Sequence, residues 1–304
     1  MGSMNVSLDV FLELVEIKAK TASILPMLLG VCMSVYYYHS FNLINSILFF
    51  IAMLLFNMAV DMMDNYNDYN HAVDTEDYKK NTNIIGREKI SPRLVLTLIL
   101  IFSIIAAGIG IYLVTRVGLP LLWMGIFCFA VGILYSSGPF QMNGLPVGEF
   151  FSGFTMGFMI MLISVYINKT GSFDWSWSNL LKIWLVALPC ELWISNLMLA
   201  NNICDAQEDE DNHRHTIIHF IGVQQGLNSF TTKNVIAFLA IITAVMARLA
   251  PWTMLLTLLI IPFVVKQTKL LYHEQVKKRT FPCAVKILLV GSLAQVITYG
   301  VGVL

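Results

Sequence analysis

The sequence predicts an all-α polytopic membrane protein: nine transmembrane helices around a central cavity, N-terminus in the cytoplasm and C-terminus outside. Three observations carry the class, the span count and the orientation. The 304 residues are 57% hydrophobic and 12% charged, with a mean hydropathy of +0.71, whereas a soluble domain averages roughly 25% charged residues. Apolar runs of about 17 to 25 residues, the length that crosses the hydrocarbon core, recur along the whole chain. Lys and Arg gather on one side of these runs. Helices are the predicted element because each satisfies its own backbone groups in lipid.

The apolar segments lie, in order, at about 22–38, 42–63, 94–115, 119–136, 147–168, 180–201, 233–249, 251–266 and 283–304. Long polar connections are expected after the second and sixth, at 64–93 and 202–232, as cytoplasmic caps on a single membrane domain. The other connections are short and carry few charges, apart from the basic eighth. With the N-terminus and the even-numbered connections on one face, that face receives fifteen Lys and Arg residues. The other receives Arg116, Lys169, Lys182 and Arg248. This asymmetry sets the orientation. Residues 1–3 read as an expression scar before Met4, and no cleavable signal peptide is expected.

Net charge is zero, so nothing in the composition suggests nucleic-acid binding. Cys32, Cys128, Cys190, Cys204 and Cys283 are scattered without a CxxC pair, arguing against a disulfide framework or a zinc site.

Acid is concentrated in two places. Eleven of the nineteen Asp and Glu residues fall in DMMDNYNDYNHAVDTED (Asp61, Asp64, Asp68, Asp74, Glu76, Asp77) and in DAQEDED (Asp205, Glu208, Asp209, Glu210, Asp211). At about 100° per residue, Asn57, Asp61, Asp64 and Asp68 share one helical face within about 60°. Asn201, Asp205, Glu208 and Asp209 share another within about 100°. Hard oxygen donors one turn apart suit Mg²⁺ or Ca²⁺. Carboxylates where an apolar helix reaches the interface read as a functional site. Mg²⁺ binds through one or two carboxylates plus substrate phosphates, so two such patches make a clamp for a diphosphate. Arg87 and Lys89 after one patch, and Arg214 after the other, would take the remaining phosphate oxygens. The plain alternative, helix caps and solvated loop, suits Glu76, Asp77, Glu210 and Asp211 equally well, and Asp74 is the weaker ligand candidate.

At this point the residues resemble a known family, the UbiA-type intramembrane aromatic prenyltransferases. DNYNDYNHAVD is similar to their NDxxD-type motif, with Asp64 and Asn65 exchanged relative to the usual order; this adds Asn65 to the metal candidates. NNICDAQEDEDNHRHT resembles the NNIRDxxxDxxxGRxT form of the 1,4-dihydroxy-2-naphthoate polyprenyltransferase branch, matching at Asn201, Asn202, Asp205, Asp209, Arg214 and Thr216. Cys204 and His213 depart from it. LYSSGPFQMNGLPVGE, KAKT (Lys18–Thr21) and GREKIS (Gly86–Ser91) resemble further motifs of that branch. The resemblance implies a helical bundle around a central cavity and Mg²⁺-dependent transfer of a polyprenyl group from its diphosphate to an aromatic acid. In this branch the acceptor is 1,4-dihydroxy-2-naphthoate, decarboxylated to give demethylmenaquinone. It also implies catalytic roles for Asp64, Asp68, Asp205, Asp209 and Tyr135, with substrate contacts from Lys20, Asn201 and Asn202.

The chemistry needs such residues. A prenyl diphosphate carries roughly three negative charges, which a divalent cation neutralises as the leaving group departs. The allylic cation must then meet an electron-rich ring and not water, which a site sunk in the bilayer excludes. Sixteen Met, nineteen Phe and eleven Tyr are available to line a prenyl tunnel, although most such residues pack against neighbours. Tyr135 reads as a stabiliser of the cation or a contact to the acceptor and equally as an interfacial anchor, and Lys18 and Lys20 as holding diphosphate or the acceptor carboxylate and equally as orientation markers. Glu149 reads first as a helix-start acid, to which the resemblance adds a structural or acceptor-positioning role. His71, His213, His215 and His219 read as solvated. Rival readings are a prenyltransferase for 4-hydroxybenzoate, homogentisate or haem, and a cation transporter. Transport sites lie near the midplane, where the apolar segments hold almost no acid. The expected setting is a bacterial cytoplasmic membrane, with the active site facing the cytoplasm and lipid, prenyl diphosphate and aromatic acid as partners.

Overall fold

The computed structural model describes residues 7–71, 83–138, 141–169, 173–212 and 214–303, without the side chain of His71. Regular structure among them is helical: α1 Leu8–Leu14, α2 Thr21–Tyr36, α3 Leu43–His71, α4 Ile84–Arg87, α5 Pro92–Val117 and α6 Pro120–Ser136. Then follow α7 Gly148–Gly153, α8 Ile160–Asn168, α9 Trp177–Cys204, α10 Ala206–Asp211, α11 Ile217–Met246, α12 Ile261–His273 and α13 Lys277–Val301. A π-helical turn, Phe154–Met159, joins α7 to α8, and a 3₁₀ helix, Trp252–Ile260, leads into α12. Eight helical stretches are long and apolar enough to cross a membrane, and Pro120–Ser136 is a shorter apolar one. Among the described residues each of these stretches overlaps one of the predicted apolar segments, in a multi-pass membrane protein with eight helices of spanning length against the nine expected. Ile104, Trp123, Trp177, Met246 and Leu259 are each well over half exposed, as lipid-facing side chains are.

Helix boundaries depart from hydropathy. α3 continues to His71, well beyond residue 63, and α11 begins at Ile217 and not near 233. Hydropathy marks the stretch in lipid, while the i→i−4 ladder runs on wherever polar side chains find partners. Gly222 (φ 75°) puts a non-helical kink near the start of α11, at a backbone angle that glycine alone adopts cheaply. Pro92 and Pro120 open α5 and α6 at positions whose N–H needs no partner.

The helices group into two compact units. The first comprises the N-terminal segment to Lys20 with Ile47–Gln141. Its core is Leu14, Val15, Ala59, Met62, Ile84, Ile85, Ile90, Val95 and Ile99, and Phe56 stacks on Phe129 at 3.8 Å between ring centroids. The second comprises Thr21–Ser46 with Met142–Leu304. At its centre α9 packs against α7, α11 and α13, while α2 packs against α8 and α13. Fully buried Trp193 of α9 lies where a side chain at Gly291 of α13 would stand. Gly153 and Gly157, a small-xxx-small pair, let the segment around the π turn close on α9. A Cβ on Gly157 would stand 2.4 Å from Glu191 Cα. Gly157→Ala therefore displaces backbone and should cost about 1–3 kcal/mol, read as a lowered unfolding midpoint in detergent; an unchanged midpoint would contradict this packing.

Candidate functional site

In the first unit, the polar end of α3 carries one acid patch. Lys20, only 1% exposed, forms an ion pair with Asp61 and donates to Asn57 Oδ1 at 2.5 Å and Asn57 O at 3.3 Å. The patch's first acid is thus neutralised by a lysine of the KAKT segment. Asn65 Nδ2 donates to Asp61 O (3.1 Å), and Asn83 Nδ2 to Asn65 O (3.0 Å), the latter tying the start of α4 to α3. Asn67 Nδ2 reaches Ser136 O and Ser137 Oγ beside Tyr135, which is half-buried at the end of α6. Asp64 is half-buried and Asp68 exposed; Asp74, Glu76 and Asp77 lie outside the described residues. Glu16, which hydropathy and spacing did not single out, joins this patch. Partial desolvation raises its carboxyl above the usual range; Lys20 opposes this, Asp68 adds to it, and a hydrogen bond with Asn65 opposes it.

The basic residues expected to take phosphate sit differently. Arg87 donates to Glu13 Oε1 (2.7 Å) and Glu88 Oε1 (3.0 Å), so part of its guanidinium already serves carboxylates of this chain. Lys89 is exposed in a left-handed turn (φ 53°).

In the second unit, the α9–α10 junction carries the other patch. Asn202, Asp205 and Asp209 are 2%, 7% and 5% exposed, and Asn201 is half-buried. Lys277, the first residue of α13, reaches Asp205 Oδ2 at 2.5 Å. Arg214 Nε lies 3.4 Å from Asp209 Oδ1, and the same guanidinium donates to Asn143 O (3.2 Å). Asn143 belongs to the SSGPFQMNG stretch, so two separate sequence motifs meet through one arginine. Asn202 Nδ2 donates to Glu149 Oε1 at 2.7 Å, giving the helix-start acid a specific partner. His219 pairs with exposed Glu210 at 2.7 Å, and His213 lies outside the described residues.

The donor set fits a divalent cation. Asp209 Oδ2 and Asn202 Oδ1 are buried without a hydrogen-bond partner, an arrangement that native interiors rarely tolerate without a ligand or a function. Burial pushes the Asp209 carboxyl up, Arg214 opposes this, and Asp205 and Glu208 add to it; a cation would relieve that strain. Among the described residues no three His, Cys, Asp or Glu side chains converge on one point. A hard cation here would draw on carboxylate, amide and substrate phosphate oxygens, the usual mixed shell of Mg²⁺.

Sequence reasoning missed Lys277, whose KKR run reads as an orientation signal. It also missed Glu191 of α9, and took Lys233 of α11 for an interfacial basic residue. Glu191 and Lys233 each sit within a long, largely apolar helix, whose averaged hydropathy passes over a single ionisable group.

Helices long and apolar enough to cross a membrane, bearing two acid-and-amide patches with adjacent cations, define a multi-pass membrane protein with a candidate site of hard oxygen donors. The chain belongs to the UbiA prenyltransferase family, whose pattern it matches over residues 23–290, and it is a prenyl-transferring enzyme. Over 237 residues it is 28% identical to the 1,4-dihydroxy-2-naphthoate octaprenyltransferase of Bacillus subtilis (strain 168), covering 76% of this chain and 72% of that one. Its fold is shared with the apo structure of a UbiA homologue from Aeropyrum pernix K1 (TM-score 0.69, 18% identity, 91% of this chain and 97% of that one). The fold is also that of a UbiA homologue from Archaeoglobus fulgidus bound to DMAPP and Mg²⁺ (TM-score 0.66, 13% identity, 96% and 98%).

Proposed function

We propose that this enzyme transfers a polyprenyl group from its diphosphate to 1,4-dihydroxy-2-naphthoate with loss of the carboxylate, giving demethylmenaquinone. The observation that carries this reading is the NNICDAQED patch. It resembles the naphthoate branch in sequence, and its Asn202 and Asp209 present buried oxygens with no hydrogen-bond partner. The likeness to the Bacillus subtilis octaprenyltransferase supports the acceptor. The Mg²⁺ and DMAPP bound by the Archaeoglobus fulgidus homologue support the metal and the donor class.

In this reading Asn201, Asp205 and Asp209 hold one cation, while Asp61, Asp64, Asn65, Asp68 and Asp74 supply the other patch. Mg²⁺, when bound, supplies the positive charge that neutralises the diphosphate leaving group. Lys20, already held against Asp61, leaves the first patch less negative toward an anionic substrate. Arg214 and Lys277 flank the second patch and are placed to take diphosphate oxygens as their carboxylates turn to the metal. Arg87 and Lys89 assist from the segment before α5. Tyr135 stabilises the allylic cation with its ring face or contacts the acceptor. Apolar helices exclude water from the cation. The basic asymmetry of the connections supports a cytoplasm-facing site in a bacterial cell membrane.

The test is an assay of purified protein with labelled polyprenyl diphosphates and a panel of aromatic acids, with and without Mg²⁺. The expected result is Mg²⁺-dependent product with 1,4-dihydroxy-2-naphthoate and loss of its carboxylate as CO₂. Transfer that persists after chelation, or confined to another acceptor, would overturn the reading.

A further inference from the structure

Within the second unit, a cavity of about 250 Å³ lies against α7, α9 and α11 and is lined by Glu149, Glu191, Ser195, Ser229 and Lys233. Three of these are ionisable and belong to membrane-spanning helices. Glu191 lies about 20 Å along α9 from its Cys204 end, at 1.5 Å per residue, deep within a hydrocarbon core about 30 Å thick. Each ionisable group is held by a neutral partner. Trp184 Nε1 donates to Glu191 Oε2 (3.0 Å), Asn202 Nδ2 to Glu149 Oε1 (2.7 Å), and Lys233 Nζ to Ser195 Oγ (2.8 Å). Among the described residues none of the three forms an ion pair. Glu149 and Glu191 are 5% and 8% exposed. Acids and a lysine buried in lipid-spanning helices are costly unless paired, and mark function by default.

We infer that this cavity binds the acceptor, as a hydroxylated aromatic carboxylic acid. Such a molecule bridges the separated charges: its carboxylate takes the Lys233 ammonium and the Ser195 hydroxyl, and its ring hydroxyls donate to Glu191. The apolar ring system lies against Phe150, Leu192 and Leu199, which line the same cavity. The volume falls below the roughly 300–1,000 Å³ of drug-sized sites, so it suits one or two rings and not a polyprenyl tail. A bare cation is disfavoured by Lys233. The site borders the metal-binding motif through one hydrogen bond, Asn202 to Glu149, as a reaction between two substrates requires. Glu149 is thereby a positioning residue: it accepts from Asn202 Nδ2, which leaves Asn202 Oδ1 directed away from Glu149. This inference rests on the proposed prenylation of an aromatic acid.

The test separates binding from turnover. Equilibrium dialysis of detergent-purified protein against 1,4-dihydroxy-2-naphthoate, without prenyl diphosphate, is compared for wild type, Lys233→Met, Lys233→Arg, Glu191→Gln and Ile221→Trp. Ile221 lines the cavity and is 38% exposed, so Trp adds bulk at the cavity wall while leaving every ionisable residue in the chain; thermal unfolding checks the fold of each variant. Lys233→Met and Glu191→Gln should each weaken binding about tenfold or more, the loss expected for one charge-assisted hydrogen bond. Lys233→Arg should retain most affinity and Ile221→Trp should lose it, with KM for prenyl diphosphate unchanged in all. Unchanged acceptor affinity in folded Lys233→Met and Ile221→Trp, with transfer to naphthoate intact, overturns the cavity assignment and leaves the proposed reaction standing. Lys233-dependent binding without transfer supports the cavity and overturns the reaction.

Discussion

Asp209→Ala should reduce turnover at least about a hundredfold, the scale of removing one preorganised electrostatic group from an active site, while leaving the unfolding midpoint unchanged or slightly raised. The two effects have one cause. Asp209 is 5% exposed, its Oδ2 has no hydrogen-bond partner, and burial raises its carboxyl. Such a group costs stability in the metal-free protein, and in the proposed function it is kept for its ligand. Its cationic neighbour, Arg214, has a side chain 41% exposed and can return to water when the carboxylate is gone. Asp68→Ala, in the other patch, should lose activity to a similar extent. Purified variants assayed at saturating Mg²⁺, with unfolding followed in the same detergent, decide the matter. Near-wild-type rates in both would show that the acid patches do not hold the diphosphate, and a large loss of stability in Asp209→Ala would make that residue structural.

Lys20→Met should destabilise the first unit by about 3 kcal/mol. Breaking a buried ion pair costs about 3–5 kcal/mol because the remaining charge is stranded. Asp61 is 24% exposed and regains some solvation, which places the effect at the lower end. Lys20→Met also leaves Asn57 Oδ1 without its donor. The double variant Lys20→Met/Asp61→Asn removes both charges and should recover most of the midpoint. A double variant no more stable than Lys20→Met would show that the lysine acts through packing of its stem and not through its charge. This bears on the metal reading too: Asp61 shares the helical face of Asp64 and Asp68, but its charge is already answered by Lys20.

Much of the fold was legible because its signals are local. Each apolar run names its own helix, and among the described residues eight helical stretches are long enough to cross a membrane, with Pro120–Ser136 a shorter apolar one. The Asp and Asn faces at Asp61–Asp68 and Asn201–Asp209 were legible for the same reason, since a 3.6-residue period puts residues four apart on one side. Helix ends were not. α3 extends through its polar stretch because Asn65 and Asn67 find backbone acceptors at Asp61, Ser136 and nearby positions, and Asn83 in turn donates to Asn65 O. Nothing in the local pattern announces those partners. Glu191 and Lys233 were hidden by averaging: one ionisable side chain barely moves the hydropathy of a long apolar window, yet in lipid it is the residue that most needs an explanation.

The sequence by itself determined the class of molecule, the order of its apolar helices and the two acid motifs, because these depend on composition and on hydrogen bonds four residues apart. Only the tertiary structure decided which charges answer one another. Lys20 meets Asp61, Lys277 meets Asp205, Glu149 holds Asn202, and Glu191 and Lys233 line one cavity without pairing. These residues are far apart along the chain, and their meeting depends on how closely helices approach, as at Gly157 against Glu191. The physical reason is one of range. Backbone geometry propagates along a helix without reference to anything else, whereas the neutralisation of a buried charge depends on whichever side chain the packing brings within a few ångströms.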